Sequence, residues 1–333
     1  MSESTSCCES ARATGATLTE LPLLFRLLRL LGHQHWLRRG RDRFLRWACN
    51  PDNAPAIEFA VPFFGKIYPG RMDNFIDWSV FHYGGYARHE LLLLADLADA
   101  LRSSEHRQLA FFDVGANVGN HSLFMAAQGA RVFAFEPFPP VRTELKRKLQ
   151  ANPGLPVCVL EFGLGDRDGL LQFRPPSGAN MGTGSFIGSG PEERETLELQ
   201  VRVGDSAFRE LGLPAIDILK IDVEDFERQV LAGLAGRLHS DRPVILFELS
   251  QRTRSGFGSL SAMKAALYPD HQMFEIGTYS VSGPYRLRPF QFATSTEVLV
   301  IPAERRRTFV HKGILLPGAS RSPNTVEVLA FNP

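Results

Sequence analysis

Apolar runs of about five residues recur between positions 109 and 302, each followed by a turn and then by a stretch with helical spacing. The runs at 110–114, 132–136, 157–161, 217–222 and 244–248 are continuously apolar over most of their length, as strands covered on both faces are. Helices are predicted between them at 119–128, 140–151 and 226–234. Val141, Leu145 and Leu149 share one face of the second, and Gly129 stops the first. Beyond the fifth run, 260–267 reads as a helix, and 273–276 and 297–301 as closing strands with no helix between them. The pattern predicts an α/β chain: a Rossmann-like, doubly wound, mostly parallel seven-stranded sheet ending in an antiparallel C-terminal hairpin.

Two regions depart from this rhythm. Within an insertion at 165–203, Asp168-Gly169 is a hairpin-turn dipeptide and 197–203 alternates with period two. The Gly-rich stretch 178–186 between them reads either as a plain surface loop or as a substrate lid. Upstream, 1–19 is small and polar and predicts no packed element, whereas 21–31 is rich in leucine. Arg26, Arg29, Arg38, Arg39, Arg41, Arg43 and Arg46 alternate with Leu27, Leu30, Leu31, Trp36, Leu37, Phe44 and Trp47. Two arginines interrupt a run far shorter than the ~20 apolar residues that span a bilayer. The mixture fits either a basic amphipathic helix making peripheral contact with an anionic membrane through 21–47, or a helix packed on the main domain. Prolines 51, 55, 62 and 69 mark 50–71 as an irregular connector, followed by a helix at 90–101. The organisation expected is an N-terminal extension at 1–67, a main domain at 68–302 and a tail at 303–333.

Composition adds limits rather than identity. The chain has 333 residues, 44% hydrophobic and 22% charged, with a net charge of +1, enough apolar content for a large core and too balanced to provide a general basic face for nucleic acid. Cys7, Cys8, Cys49 and Cys158 show neither zinc-ligand spacing nor a disulfide framework. Reduced thiols and a cytoplasmic location, with peripheral contact at the inner membrane surface in the amphipathic reading, are expected.

The chemistry begins where the first strand meets its helix, at Phe111-Phe-Asp-Val-Gly-Ala-Asn-Val-Gly-Asn120. Gly115 permits a sharp turn, Gly119 lets the helix pack close, and free N–H groups face the crevice. Asn117 stands where a dinucleotide site needs its middle glycine, so a pyrophosphate is poorly served. Glu136, at the second strand tip about 20 positions beyond Gly115, is placed to accept the hydroxyls of a ribose. These features fit a nucleoside cofactor, with an NAD-type oxidoreductase as the competing reading.

Together with Phe135-Glu-Pro137, Leu219-Lys-Ile-Asp-Val-Glu224 and Phe247-Glu248, this segment resembles the FkbM family of S-adenosylmethionine-dependent methyltransferases. The upstream Phe81-His-Tyr-Gly-Gly-Tyr86 is similar to that family's aromatic-glycine segment. The resemblance covers roughly 80–250 and implies a class I methyltransferase fold, S-adenosyl-L-methionine as cofactor, and methylation of a hydroxyl on a sugar, glycolipid or polyketide-type natural product, hence a small-molecule or glycan acceptor. It further implies that Asp113, Gly115, Asn117, Gly119, Glu136 and Tyr86 bind the cofactor. Asp166 is a further candidate, for the adenine amino group. The family reads Asp-Val-Glu-Gly where this chain has Asp222-Val-Glu-Asp225, which admits a catalytically inactive nucleoside-binding or membrane-associated scaffold as another reading. A hydroxyl acceptor needs a base: Asp222 first, then Glu224 and His121. Asp222, Glu224 and Glu248 are also a candidate oxygen set for Mg²⁺. Lys220, in an otherwise apolar strand, is expected to pair with one of these acids because an unpaired buried ammonium is too costly.

Overall fold

The computed structural model describes residues 16–17, 20–34, 40–176, 184–186, 196–278, 283–293 and 295–315. Most of the Gly-rich stretch 178–186, read as loop or lid, lies outside them, as do Trp36, Leu37, Arg38 and Arg39 of the basic amphipathic segment. The N-terminal layer consists of β1 (Ala16–Thr17), α1 (Leu23–Gly32), α2 (Arg41–Ala48), β2 (Glu58–Phe63), β3 (Lys66–Arg71) and α3 (Phe75–Tyr83). Two expectations are corrected here. Ala16–Thr17 pairs in parallel with β2, so the polar 1–19 segment does contribute an element. The supposed connector 50–71 contains a hairpin. Its two-residue turn, Phe64-Gly65, has φ of 47° and 76°, the paired left-handed values that suit a tight hairpin. Phenylalanine is a rare residue for that backbone, and for this reason the turn was not visible in the sequence.

After α4 (Arg88–Glu105) the chain alternates as its apolar rhythm predicts: β4 (Ala110–Val114), α5 (Asn120–Ala127), β5 (Arg131–Phe135), α6 (Pro139–Gln150) and β6 (Val157–Leu160). The insertion contributes β7 (Gly163–Gly165), β8 (Gly169–Arg174), β9 (Ser185–Phe186) and β10 (Leu197–Val203), which form their own sheet in the order β7-β10-β8-β9. There follow α7 (Gly204–Glu210), β11 (Ile218–Ile221), α8 (Glu227–Gly233), α9 (Ala235–Asp241), β12 (Val244–Leu249), α10 (Gln251–Phe257), α11 (Leu260–Ala265), β13 (His271–Thr278), β14 (Tyr285–Pro289), β15 (Thr296–Pro302) and α12 (Arg306–His311).

The main sheet runs β14-β13-β15-β12-β11-β4-β5-β6, with β12, β11, β4, β5 and β6 parallel and β15 antiparallel to both neighbours. It is a mixed sheet of eight strands, not seven, and the closing piece is not a simple two-stranded hairpin. β15 inserts between β12 and β13, and β14 turns back onto β13 as an edge strand. The edge sequence Tyr-Arg-Leu-Arg-Pro is too short and polar to stand out by hydrophobicity, and its proline and arginines are what an unpaired edge tolerates.

The N-terminal layer is bolted to the sheet domain by a buried charge pair. Lys148 of α6 and Asp77 of α3 are fully buried and 3.2 Å apart. Asp77 also accepts from the Tyr68 hydroxyl at 2.9 Å and the Arg71 amide at 3.0 Å, while the Lys148 ammonium lies 4.7 Å from the Tyr68 ring centre. Asn152 completes the joint by accepting from the Ile67 amide and donating to the Ile67 carbonyl. One cluster of buried side chains accordingly runs from Leu21 through the hairpin and α4 to Ile314.

Removing one partner of such a pair leaves a buried charge. Asp77→Asn is expected to lose about 3–5 kcal/mol of stability in urea unfolding, whereas Asp77→Leu combined with Lys148→Met loses less than Asp77→Asn alone. A double variant less stable than the single would show that the pair contributes net attraction beyond mutual compensation.

Candidate active site

The parallel register aligns Val114 with Ile221 and Asp113 with Lys220, so the chain leaves β4 and β11 side by side at the C-terminal edge of the sheet. Gly115 is the point of closest approach. Its φ is +83°, and a Cβ there would lie 1.9 Å from the Asp222 carbonyl oxygen, so only glycine fits. Asn117 follows at φ 51°, its side chain accepting from the Val118 amide. Gly119 sits against Leu145 of α6, where a Cβ would meet Cδ1 at 2.3 Å. Together these residues form the close-packed turn that the sequence implies.

Glu136 stabilises that turn from behind. One carboxylate oxygen accepts from the Asn117 amide and the other from the Phe138 amide, each at 2.8 Å. Burial nevertheless pushes its pKa up to about 7, against the downward pull of the two amides. A carboxylate offers about four acceptor positions, of which two are used here. Asp113, also buried, accepts from the Ser122 hydroxyl at 2.6 Å, and its other oxygen has no hydrogen-bond partner.

In front of the turn lies a pocket of about 130 Å³ whose walls include Tyr86, Gly115, Asn117, His121, Asp222, Glu224 and Glu248. That volume holds the reacting end of a ligand rather than a whole one, given that drug-sized sites run to ≈ 300–1,000 Å³. Asp113, Gly119 and Glu136 do not line it. Asp166 is exposed on the turn after β7 and does not reach it.

Three further wall residues, Glu90, Asn120 and Glu297, were not singled out in the sequence. Asn120 accepts from the Tyr86 amide at 3.3 Å and donates to the Tyr86 carbonyl at 3.1 Å, clamping the aromatic-glycine segment to the first turn of α5. Glu90 opens α4, and Glu297 lies on β15 directly across from Glu248. Glu90 and Glu297 carry no local signal, and although Asn120 closes the glycine-turn motif, its clamp on Tyr86 is a long-range contact.

The electrostatics centre on Lys220, 3% exposed, whose ammonium lies 2.9 Å from Asp222. The expected pairing is therefore present. Burial opposes its charge, but Asp222, Asp113 and Glu90 outweigh burial and raise its pKa. Burial likewise pushes Glu90 up, yet His121, 3.4 Å away, and Lys220 bring it down to about 2. The other acids go the opposite way. Burial first, then Asp222 and Glu248, raise Glu224 to about 8; burial, Asp222 and Glu227 raise Glu248 to about 7. Glu297 is pushed well above the carboxylate range by burial and Glu90.

The Mg²⁺ expectation is not supported. Among the described residues no group of three or more His, Cys, Asp or Glu side chains is disposed to hold a metal ion. Asp222 is engaged by Lys220.

Asp225, in place of the family's glycine, has φ +77°, the left-handed backbone that glycine adopts freely. The Ser250 hydroxyl donates to its carboxylate and Arg252 lies 3.5 Å away.

Comparison with known proteins agrees with the motifs. Residues 113–275 match the family described as Methyltransferase FkbM domain. The chain is 33% identical over 135 residues to the hexuronic acid methyltransferase AglP of Haloferax volcanii, covering 40% of this chain and 54% of that protein. It is 32% identical over 152 residues to the 31-O-demethyl-FK506 methyltransferase FkbM of Streptomyces tacrolimicus, covering 37% and 58%. The alignments thus span little more than half the length of these two relatives. A solved methyltransferase FkbM from Methylobacillus flagellatus aligns at 15% identity with a TM-score of 0.39, covering 61% of this chain and 47% of that one.

The Gly115 contact yields a direct test. Gly115→Ala is expected to lower stability in urea unfolding by about 1–3 kcal/mol beyond Gly154→Ala, because Gly154 shares a positive φ but has open space around it. Equal losses would mean that the approach to Asp222 is not tight.

Proposed function

We propose that the chain, whose residues 113–275 match the FkbM methyltransferase domain, is an S-adenosylmethionine-dependent methyltransferase acting on a hydroxyl of a small-molecule or glycan acceptor. The observation that carries the reading is a glycine turn at the C-terminal edge of the sheet, opening onto a pocket in which Glu224 and Glu248 are pushed up to about 8 and 7. The relatives' names, one citing a hexuronic acid and the other an O-demethyl substrate, support an oxygen acceptor.

The residues present fit the cofactor. Glu136 has acceptor positions to spare for ribose hydroxyls, and the turn lacks the middle glycine that a pyrophosphate requires, which favours this nucleoside over NAD. Gly115, Asn117 and Tyr86 would flank it, with Gly119 and Asp113 holding the turn and strand behind. When bound, S-adenosylmethionine supplies an electrophilic methyl group.

The chain's own task is to place the acceptor and take its proton. Glu224 suits this role better than Asp222, because a base works best with a pKa near the working pH and Asp222 is committed to Lys220. His121 is engaged by Glu90 and shapes the wall. Asp225 keeps the backbone course that glycine would give, which supports an active enzyme over a scaffold.

Calorimetry is expected to show micromolar binding of S-adenosylmethionine and S-adenosylhomocysteine, with NAD silent. Glu136→Ala should weaken binding about tenfold or more, since a hydrogen bond to a charged group contributes ≈ 1.5–3 kcal/mol. Unchanged affinity would remove Glu136 from the ribose site, and NAD binding would remove the cofactor assignment.

A second test follows from the base. With hexuronic-acid and other hydroxylated acceptors, kcat/KM should rise with pH through about 8 as Glu224 loses its proton. Glu224→Gln should reduce it by roughly 10²–10⁴ and abolish that limb. If the limb persists in the variant, another group takes the proton.

A further inference from the structure

Helix α1 is apolar on two opposite faces. Its inner face is fixed: Leu28 is buried, and Gly32 lies so close to α3 that a Cβ would come within 2.2 Å of the His82 carbonyl oxygen. Arg29 donates to the Phe81 carbonyl, its guanidinium 5.3 Å from the centre of the Phe81 ring. Rotation about the axis is thereby excluded, and Leu23, Leu24, Leu27 and Leu30 are held outward at 53–65% exposure. On α2, Arg41 and Leu45 point inward, while Phe44 and Trp47, with ring centres 5.8 Å apart, point outward, Trp47 at 80% exposure. Six of the eleven exposed large hydrophobic side chains among the described residues lie on these two helices.

The exposed charges around this face are mostly positive. Arg26, Arg43 and Arg46 are exposed. Asp42 is half-buried against Arg41, leaving Glu20 as the exposed acid of this layer among residues 20–34 and 40–49. The excess is local, since the whole chain carries only +1. Leucines backed by arginines, with an exposed tryptophan, are the composition that settles at the boundary between headgroups and acyl chains. Among the described residues no helix is long and apolar enough to cross a membrane, so the contact is with one leaflet. A second protein chain would be met better by a face without exposed cations; an anionic lipid surface neutralises them.

We propose that the outward faces of α1 and α2 dock this protein on an anionic phospholipid bilayer. The proposal does not depend on the methyltransferase reading. Vesicles of phosphatidylcholine with about one-third phosphatidylglycerol should carry the full-length protein upward in a flotation gradient. Trp47 emission should shift to the blue, and the shift should be lost in Trp47→Phe. Binding should weaken about tenfold or more on pure phosphatidylcholine, at raised salt, or with Leu27→Glu or Trp47→Glu. Both glutamate variants alter exposed side chains and should retain the wild-type thermal unfolding, which separates lost docking from lost folding. Absence of flotation with anionic vesicles, or flotation unchanged in both variants, overturns the proposal. So does a wild-type dimer that fails to float and becomes monomeric with Leu27→Glu, which assigns the face to a second copy of the chain.

Discussion

A lysine in a strand flanked by parallel neighbours is the constraint around which the site is arranged. Lys220 keeps its charge at 3% exposure because Asp222, Asp113 and Glu90 approach it from three different elements. Without them, burial would drive off its proton. Their presence creates a second problem, since five acids (Glu90, Asp222, Glu224, Glu248 and Glu297) line a pocket that offers Lys220 and His121 in return. Excess carboxylates in a confined space cannot all ionise near neutrality. Glu90 takes the charge because His121 and Lys220 face it, whereas Glu224, Glu248 and Glu297 are pushed toward their protonated forms. The facing register of Glu248 and Glu297 would be repulsive if both were charged. The placing of Lys220 and His121 therefore favours the charged form of Glu90, while burial and neighbouring acids push Glu224 and Glu248 up.

The backbone around this cluster is as constrained as its charges. Gly115, Asn117 and Gly119 leave β4 at positive φ, and Glu224 and Asp225 leave β11 in the same left-handed region. Such conformations cost about 1–3 kcal/mol each in non-glycine residues and persist where surrounding contacts enforce them. Here the enforcing contacts are identifiable: Glu136 holds the Asn117 amide, and Ser250 holds the Asp225 carboxylate. Asp225 thus replaces the freedom of glycine with a side-chain tether. Strain and perturbed protonation coincide at the sheet edge where chemistry is expected.

The parts of this arrangement legible in the sequence are those with a local signature. Parallel strands declare themselves as apolar runs, the turn by Gly115 and Gly119, and the Lys220 pairing by the cost of leaving an ammonium alone. Glu90 reads as an ordinary charge at the start of an amphipathic helix, and Glu297 as the polar end of a closing strand. Only the fold places them on the same pocket. Asp77 and Lys148, 71 residues apart, bear no mark of the pair that joins two layers. The Phe64-Gly65 hairpin and the edge strand β14 were missed for the reverse reason: their residues argue locally for something else, and tertiary pairing prevails.

The division of labour along the chain follows from the same geometry. The family match begins at residue 113, yet Ile76, Tyr86 and Glu90 reach the pocket from before it. Ile76 is placed by the N-terminal layer, whose α3 is anchored through Asp77 to Lys148, and the Tyr86 segment is clamped by Asn120 of α5. The helix that supplies Ile76 also bears, at its other end, the His82 carbonyl against which α1 packs. The matched segment thus contains the glycine turn and the strand tips that carry Asp222, Glu224 and Glu248. Most of the pocket wall lies within the matched segment, and Ile76, Tyr86 and Glu90 complete it from upstream. The layer that carries the outward leucines, tryptophan and arginines therefore also sets one side of the pocket, through Ile76 of α3.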